Sequence, residues 1–480
     1  MEEIGKKFKK GLIWSIVGQF GYLSITLLTN ILLARLLSPK EFGVVAIATF
    51  FIAISKVLTE SGLSGALIRK KDATEIDNST IFIFNFIVSV SLYILLYFFS
   101  PNIEMYYEIE NLSLYVRVLG IVLIINSFQI IQNVRLVKQL QYKLISTYSL
   151  VSVLLASVIA IVVALYGYGV WALILLQILN ALFLTIIYWI KEKGLEVYRF
   201  SKTSFKELYG FGVYTTLSSL LNTAFDNVYQ LILGKYFSLG QTGFYFQAKK
   251  LSEIPVGVIK STTLGVVFST LSNLQDEKEQ FDKMYNNIIR IFTVLVGLIC
   301  MGIFLFSKEI LFLLYGEKWL DADFYMKILA LSSFFFMQEM FNRILFKVFN
   351  KTQKILMLEI IKKGINLISL VLGVYYESLE ILMYGYLITC ILSYFLNYYV
   401  SRKVYHSETT YKELVYTLKV VFSILIVVSL FYWVNSLYTL RFLYNLFYIP
   451  IVIIFYVVLL QFFKVLNLRK DISIIKNIKK

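Results

Sequence analysis

Residues 222–260 read NTAFDNVYQLILGKYFSLGQTGFYFQAKKLSEIPVGVIK, two helix-length segments joined by a short turn around Ser238 and Gly240. Both segments are largely apolar. Yet Asn222, Asp226, Asn227 and Gln230 interrupt the first, and Gln247, Lys249, Lys250, Glu253 and Lys260 the second. Asn222, Asp226 and Gln230 stack at i, i+4 and i+8, while Lys249, Glu253 and Lys260 stack at i, i+4 and i+11, one face of each helix. Pro255 predicts a kink in the second segment. A charge at the centre of a bilayer costs roughly 2.5–3.5 kcal/mol on insertion scales, so such residues face a bundle interior or a wet cavity. The stretch predicts two membrane-spanning helices forming one wall of a polar chamber.

Composition agrees with a membrane setting. The chain has 480 residues, 58% hydrophobic and 17% aromatic, with a mean hydropathy of +0.73. Charged residues make up 16%, well below the ~25% of soluble domains. A net charge of +16 would raise nucleic-acid binding in a soluble protein. Here the positions of the cations explain the charge better, and no nucleic-acid partner is expected. Cys300 and Cys390 fall inside predicted spans, so no disulfide framework is implied. His406 is the one histidine and lies in a polar loop, which excludes histidine-based metal or triad chemistry. Neither a metal site nor a catalytic set is expected, and the protein does not read as an enzyme. The apolar run from Gly11 to Leu37 is too long for the core of a signal peptide and reads as a first span.

A span needs about 20 mostly apolar residues. Fourteen segments qualify: 11–37, 41–68, 79–100, 112–134, 145–166, 168–190, 207–236, 241–270, 287–307, 322–348, 355–375, 378–400, 413–434 and 442–463. With the N-terminus in the cytoplasm, most lysines and arginines outside the spans fall in inner segments. The outer segments hold only Lys40, Lys235, Lys308, Lys318 and Arg441. That alternation predicts both termini inside. Outer loops are short, so the working parts are expected within the membrane.

An offset of 200 residues relates two stretches. Arg35 aligns with Lys235, Leu37 with Phe237, Ser38 with Ser238 and Gly43 with Gly243. Spans one and seven run the same way, which predicts parallel repeats about an axis along the membrane normal. The expected fold is an all-α polytopic membrane protein of 14 helices. Residues 1–200 form a six-helix N-terminal lobe, 201–403 a six-helix C-terminal lobe, and 404–480 hold the last two helices and a cytoplasmic tail.

Polar stripes recur on some spans. Ser15, Gln19, Tyr22, Thr26 and Asn30 share a face of span one; span four holds Arg117, Asn126, Gln129 and Asn133. Spans five, six, twelve and fourteen are almost uncharged in their middles, so a shared lumen is expected to be lined by the other helices. Lys56 with Glu60, Lys249 with Glu253, Glu339 with Arg343, and Glu359 with Lys363 are each spaced i, i+4 and can neutralise one another within a helix. The set as a whole is nonetheless cationic. Arg35, Lys56, Arg117, Lys249, Lys250, Lys260, Arg343, Lys362 and Lys363 outnumber Glu60, Asp226, Glu253, Glu339 and Glu359. An anionic cargo would compensate the excess. Arginine grips phosphate bidentately and lysine acts as a point charge, while Gln19, Asn30, Asn222 and Gln230 suit sugar hydroxyls as polar lining. Asp226, with Glu60 and Glu253, is the expected site of any coupling to a Na+ or H+ gradient. No cofactor is otherwise expected.

The run Leu33-Ala34-Arg35-Leu36-Leu37-Ser38-Pro39 with Phe42-Gly43 resembles the start of Wzx-type polysaccharide flippases. These are the polysaccharide transporter branch of the multidrug/oligosaccharidyl-lipid/polysaccharide exporter superfamily. Gly62-Leu63, Ala66-Leu67-Ile68-Arg69-Lys70, Asn78-Ser79-Thr80 and Phe84-Asn85 share the resemblance. It implies two six-helix lobes facing a cationic cavity, and alternating access that carries an undecaprenyl-pyrophosphate-linked oligosaccharide outward across the bacterial cytoplasmic membrane. The lipid II flippase, a cousin, has cavity cations on spans one, two and eight, the helices that carry Arg35, Lys56 and Lys249/Lys250 here. The expected partners are a lipid-linked anionic oligosaccharide, the bilayer and the glycan polymerase machinery. The alternatives are a cation-coupled multidrug exporter of the same superfamily, which would favour an acidic or apolar chamber, and a polytopic glycan polymerase or ligase, which would need larger outer loops.

Overall fold

The computed structural model describes residues 2–60, 63–70, 72–262, 267–407, 411–437 and 442–466. All the regular secondary structure among these residues is helical. Two compact units divide the chain, Met1–Phe246 and Gln247–Lys480. The first unit contains α1 (Glu2–Leu36), α2 (Pro39–Glu60), α3 (Leu63–Arg69), α4 (Glu75–Tyr107), α5 (Leu112–Ser127), α6 (Ile130–Lys138), α7 (Tyr142–Leu165), α8 (Val170–Lys191) and α9 (Lys202–Tyr236). Helix α10 (Leu239–Thr262) runs through Pro255 and crosses the division. The second unit continues with α11 (Phe268–Asn273), α12 (Lys278–Leu305), α13 (Ser307–Tyr315), α14 (Asp323–Val348), α15 (Thr352–Tyr375), α16 (Leu379–Val404), α17 (Tyr411–Leu437) and α18 (Ile449–Phe462).

Among the described residues nine helices are long and apolar enough to cross a membrane, or up to ten if α5 and α6, bent by 43° at their junction, form one broken span. Helices α9, α10, α14 and α15 are 35, 24, 26 and 24 residues long but fall outside that set. These are the helices that carry Asp226, Lys249, Glu339 and Lys362, and their polar content is what removes them. Outward faces elsewhere are apolar, as on α7 at Val151, Leu154 and Val158 and on α18 at Ile451 and Ile454. Exposed apolar surface on this scale requires lipid contact.

Local signals set the helix starts. Thr74 and Asp77 form a reciprocal capping box at α4. Ser38 Oγ accepts from the Glu41 backbone N–H, and the Glu41 carboxylate accepts from the Ser38 N–H at 2.6 Å. Two hundred residues on, Ser238 Oγ accepts from the Gln241 N–H at 3.2 Å, the same cap at the start of α10. The first turns of α2 and α10 then meet backbone to backbone. A Cβ built on Gly43 would lie 2.0 Å from the Leu239 carbonyl oxygen, and one on Gly243 1.9 Å from that of Pro39. Only glycine allows this approach.

Each unit has its own packing. In the first, Leu63, Leu67, Ile81, Ile131, Val134 and Leu208 join α3, α4, α6 and α9. In the second, α12, α14, α17 and α18 share a core including Val296, Met337, Val420 and Tyr456. Cys300 and Cys390 are free and buried.

Candidate functional site

The helices of the first unit form a partly open chamber in which polar side chains interrupt an apolar wall. It comprises two adjoining cavities of about 600 and 290 Å³ that share Lys56, Asn126, Gln129, Ile145, Ser149 and Leu184 as walls. Helix α1 contributes Ser15, Gln19 and Tyr22, and α2 contributes Thr49, Lys56, Thr59 and Glu60. The break between α5 and α6 brings Asn126, Gln129 and Asn133 to the wall, α7 adds Tyr142, Ser146, Ser149 and Ser152, and α8 adds Gln177, Asn180 and Tyr188.

The wall is cross-linked by hydrogen bonds. Gln129 Nε2 donates to Asn126 Oδ1 at 2.6 Å, and Ser152 Oγ donates to Asn180 Oδ1 at 3.1 Å. Tyr188 donates to Asn133 Oδ1 at 3.3 Å. Longer contacts run from Asn180 Nδ2 to Tyr22 (3.5 Å) and from Gln177 Nε2 to Thr49 Oγ1 (3.4 Å). Gln129 Oε1 is buried with no hydrogen-bond partner in the chain. Of the described residues on the wall, Lys56 and Glu60 carry charge. Their head groups are 3.8 Å apart and both side chains are more than half exposed, at 54% and 55%. Such a pair contributes about 0–1 kcal/mol, little enough for a ligand to compete with it.

Of the residues expected on polar faces, Lys56, Glu60 and Gln19 reach this chamber, as do Ser15 and Tyr22 of α1 and Asn126, Gln129 and Asn133 of the predicted span four. Others in the first unit are engaged elsewhere. Arg117 Nε donates to the Tyr97 carbonyl at 3.2 Å and to Ser100 Oγ at 2.8 Å, and its guanidinium covers the Tyr97 ring at 4.3 Å. Gln230 is buried and donates to the Ala46 carbonyl at 3.0 Å, joining α9 to α2. Asn30 is buried in α1, whereas Arg35, Asn222 and Asp226 are exposed.

The second unit holds its charges differently. Glu339 on α14 is fully buried and accepts from Arg343, from Lys362 Nζ at 3.0 Å and from Ser393 Oγ at 2.8 Å. Arg343 also pairs with Glu359, and the Lys362 ammonium lies 5.0 Å over the Phe336 ring. The expectation of uncompensated positive charge is therefore corrected at Arg343 and Lys362. Two carboxylates on α14 and α15 are folded against these two cations, and Glu359 pairs with Arg343, a partner its helical spacing to Lys363 did not suggest. On α10, Lys249 and Glu253 form a looser pair at 3.6 Å with Glu253 62% exposed. Lys250 and Lys363 are both partly buried. The Lys260 side chain lies outside the described residues.

Two sets of residues escaped the sequence reading. Helices α7 and α8, expected to stay out of any lumen because their middles lack charge, supply much of the chamber wall. Their signal was there in uncharged form: Tyr142, Ser146 and Ser149 at i, i+4 and i+7, and Gln177 with Asn180 at i, i+3. The second set is a buried network at the start of α17. Fully buried Glu413 accepts from Arg402, from Asn342 Nδ2 at 2.7 Å and from Tyr285 at 3.1 Å, and Ser401 Oγ donates to Asn342 Oδ1 at 2.7 Å. At a helix end, Arg402 reads as a topology signal and Glu413 as a cap.

Residues 32–323 match a family described as "Polysaccharide biosynthesis protein". The chain is 23% identical over 329 residues to the succinoglycan biosynthesis transport protein ExoT of Rhizobium meliloti (strain 1021), covering 68% of this chain and 66% of that one. It is 26% identical over 334 residues to the teichuronic acid biosynthesis protein TuaB of Bacillus subtilis (strain 168), 69% of each. Against the lipopolysaccharide biosynthesis protein WzxC of Escherichia coli (strain K12) the figures are 20% over 318 residues, 65% and 64%. The match thus spans about two thirds of these relatives. Among solved structures, lipid II flippase MurJ in an inward closed conformation superposes with a TM-score of 0.75 at 16% identity, over 94% of this chain and 98% of that one. An inward-facing multidrug resistance MATE family transporter of the MOP superfamily gives 0.60 at 16% identity, over 81% and 96%. At these identities the likeness is one of fold.

Proposed function

The chain belongs to the polysaccharide biosynthesis protein family, and from that premise we propose that it is an alternating-access flippase. Its cargo is an undecaprenyl-pyrophosphate-linked oligosaccharide repeat unit, moved from the inner to the outer leaflet of the bacterial cytoplasmic membrane for surface polysaccharide synthesis. The proposal includes fourteen spans with both termini cytoplasmic, lobes at 1–200 and 201–403 related as parallel repeats, and two further helices beyond. The relatives named for succinoglycan transport and teichuronic acid and lipopolysaccharide biosynthesis support this reading. The observation that carries it is the chamber of the first unit, whose amides, hydroxyls and loosely held Lys56 suit a phosphorylated polyol. A multidrug cation would find no net negative charge there to hold it, since Glu60 sits beside Lys56. Lys56, Lys249, Lys250 and Lys363 are the proposed contacts for the pyrophosphate, the last three also for any acidic sugar, and cargo binding favours one arrangement of the protein by its differential contacts.

Deletion of the gene is expected to accumulate the lipid-linked repeat on the inner leaflet, read by mass spectrometry of extracted lipids. Unchanged lipid pools with normal surface glycan would remove the proposal. With wild-type expression levels, Lys56→Ala and Lys250→Ala are each expected to lower glycan export, and a double variant that exports normally would take both lysines out of the mechanism.

Asp226 is proposed as the coupling group for a Na+ or H+ gradient. It is an exposed carboxylate on α9, flanked one turn away on either side by Asn222 and Gln230. In proteoliposomes, transport by the wild type should respond to one of the two gradients, and Asp226→Asn should abolish that response. Wild-type transport indifferent to both would end the idea.

A further inference from the structure

We propose that the chamber of the first unit is a subsite for an uncharged sugar ring of the cargo. The carboxamides of Asn126, Gln129, Gln177 and Asn180 read its hydroxyls, and Tyr22 and Tyr142 lie against its flat faces. The inference rests on the flippase reading and adds which part of the cargo sits where.

The chemistry of the wall is the first argument. A sugar hydroxyl both donates and accepts, and a carboxamide is the side chain that offers two donors and an acceptor without charge. Carboxamides from the α5–α6 break face this space together with those of α8, and hydroxyls from α1, α2 and α7 fill the gaps. Two of the contacts along this wall are long, at 3.4 and 3.5 Å, so a ligand hydroxyl can replace them with little loss. The buried Gln129 Oε1 is an acceptor still lacking a donor, a cost that a ligand hydroxyl removes.

Charge is the second. Lys56 has Glu60 beside it, so the wall carries no net charge and gives a uronic acid no advantage over a neutral hexose. Size is the third: the two cavities, at about 600 and 290 Å³, fall within or close to the roughly 300–1,000 Å³ range of small-molecule sites. Asn126 and Gln129, three residues apart at the α5–α6 junction, lie on one face and both reach the chamber.

The test uses the full-length protein in nanodiscs and three lipids. They are bare undecaprenyl pyrophosphate, the same lipid bearing a neutral disaccharide, and the same lipid bearing a disaccharide with one uronic acid. Binding is read by native mass spectrometry. The neutral glycolipid should bind about tenfold more tightly than the bare lipid, as expected for a few hydrogen bonds gained, and the uronic acid should add nothing further. Asn126→Ala and, separately, Gln177→Met should erase the sugar-dependent gain and leave affinity for the bare lipid unchanged. Equal affinity of the wild type for bare and neutral lipids would overturn the subsite while leaving the flippase reading standing. So would tightest binding of the acidic glycolipid, or equal loss of both affinities in both variants. Failure of all three lipids to bind would overturn the flippase reading and the inference together.

Discussion

Glu339→Ala is expected to destabilise the protein by about 3–5 kcal/mol, the usual consequence of removing one partner from a buried charge cluster. Glu339 is fully buried and is the shared acceptor of Arg343, Lys362 and Ser393. Without it, Arg343 keeps Glu359, but the Lys362 ammonium remains in a largely buried site with an aromatic ring beneath it. The penalty comes from that stranded cation rather than from the lost attraction. A second substitution therefore tests the cause. Lys362→Met in the Glu339→Ala background leaves the Arg343–Glu359 pair intact and is expected to recover much of the lost stability. The recovery is the coupling energy between the two positions. Thermal unfolding of the detergent-purified protein reads both. If the double variant melts no higher than Glu339→Ala alone, the cluster is not held by charge compensation.

This cluster also marks where reading the sequence stopped short. Burying Arg343 and Lys362 is costly, and the sequence makes that cost visible because each charge interrupts an apolar helix. What the cost is offset by depends on helix neighbours. Glu339 and Arg343 are four residues apart and their pairing follows from helical spacing. Lys362 and Ser393 reach Glu339 from α15 and α16, and no periodicity reports which helices are adjacent. Hence the excess of cations was legible and its partial neutralisation was not.

The chamber shows the opposite bias. Lys56 and Glu60 were found by their charge, and Gln19 by its place on the polar stripe of α1. Gln177, Asn180 and the serines of α7 were passed over, because an uncharged polar group in an apolar span is cheap enough to need no special reason. Their meaning emerges only when α7 and α8 fold beside the α5–α6 break and the amides converge. The all-helical membrane architecture, by contrast, followed from apolar segment length, because a run of about 20 apolar residues needs no partner to declare itself.

Gly43→Ala and Gly243→Ala are each expected to lower stability by about 1–3 kcal/mol or more, the range for forcing atoms into a filled contact. The two alanines together should cost little more than one. The expectation comes from the reciprocity of the contact. A Cβ on Gly43 meets the Leu239 carbonyl oxygen at 2.0 Å, and one on Gly243 meets the Pro39 carbonyl oxygen at 1.9 Å. Neither obstacle is a side chain that can rotate away; each is the first turn of the opposing helix. Either substitution must separate the starts of α2 and α10, and once they are apart the second methyl group enters space already opened. Independent sites add, whereas sites that share one gap do not. Gly257 on α10, where a Cβ would meet nothing within 4 Å, supplies the control. Alanine there should be neutral or mildly stabilising through its better helix propensity. Thermal midpoints of the two singles, the double and the control decide the matter. Costs of the singles that simply sum in the double would mean that the two glycines, 200 residues apart, do not guard one common contact.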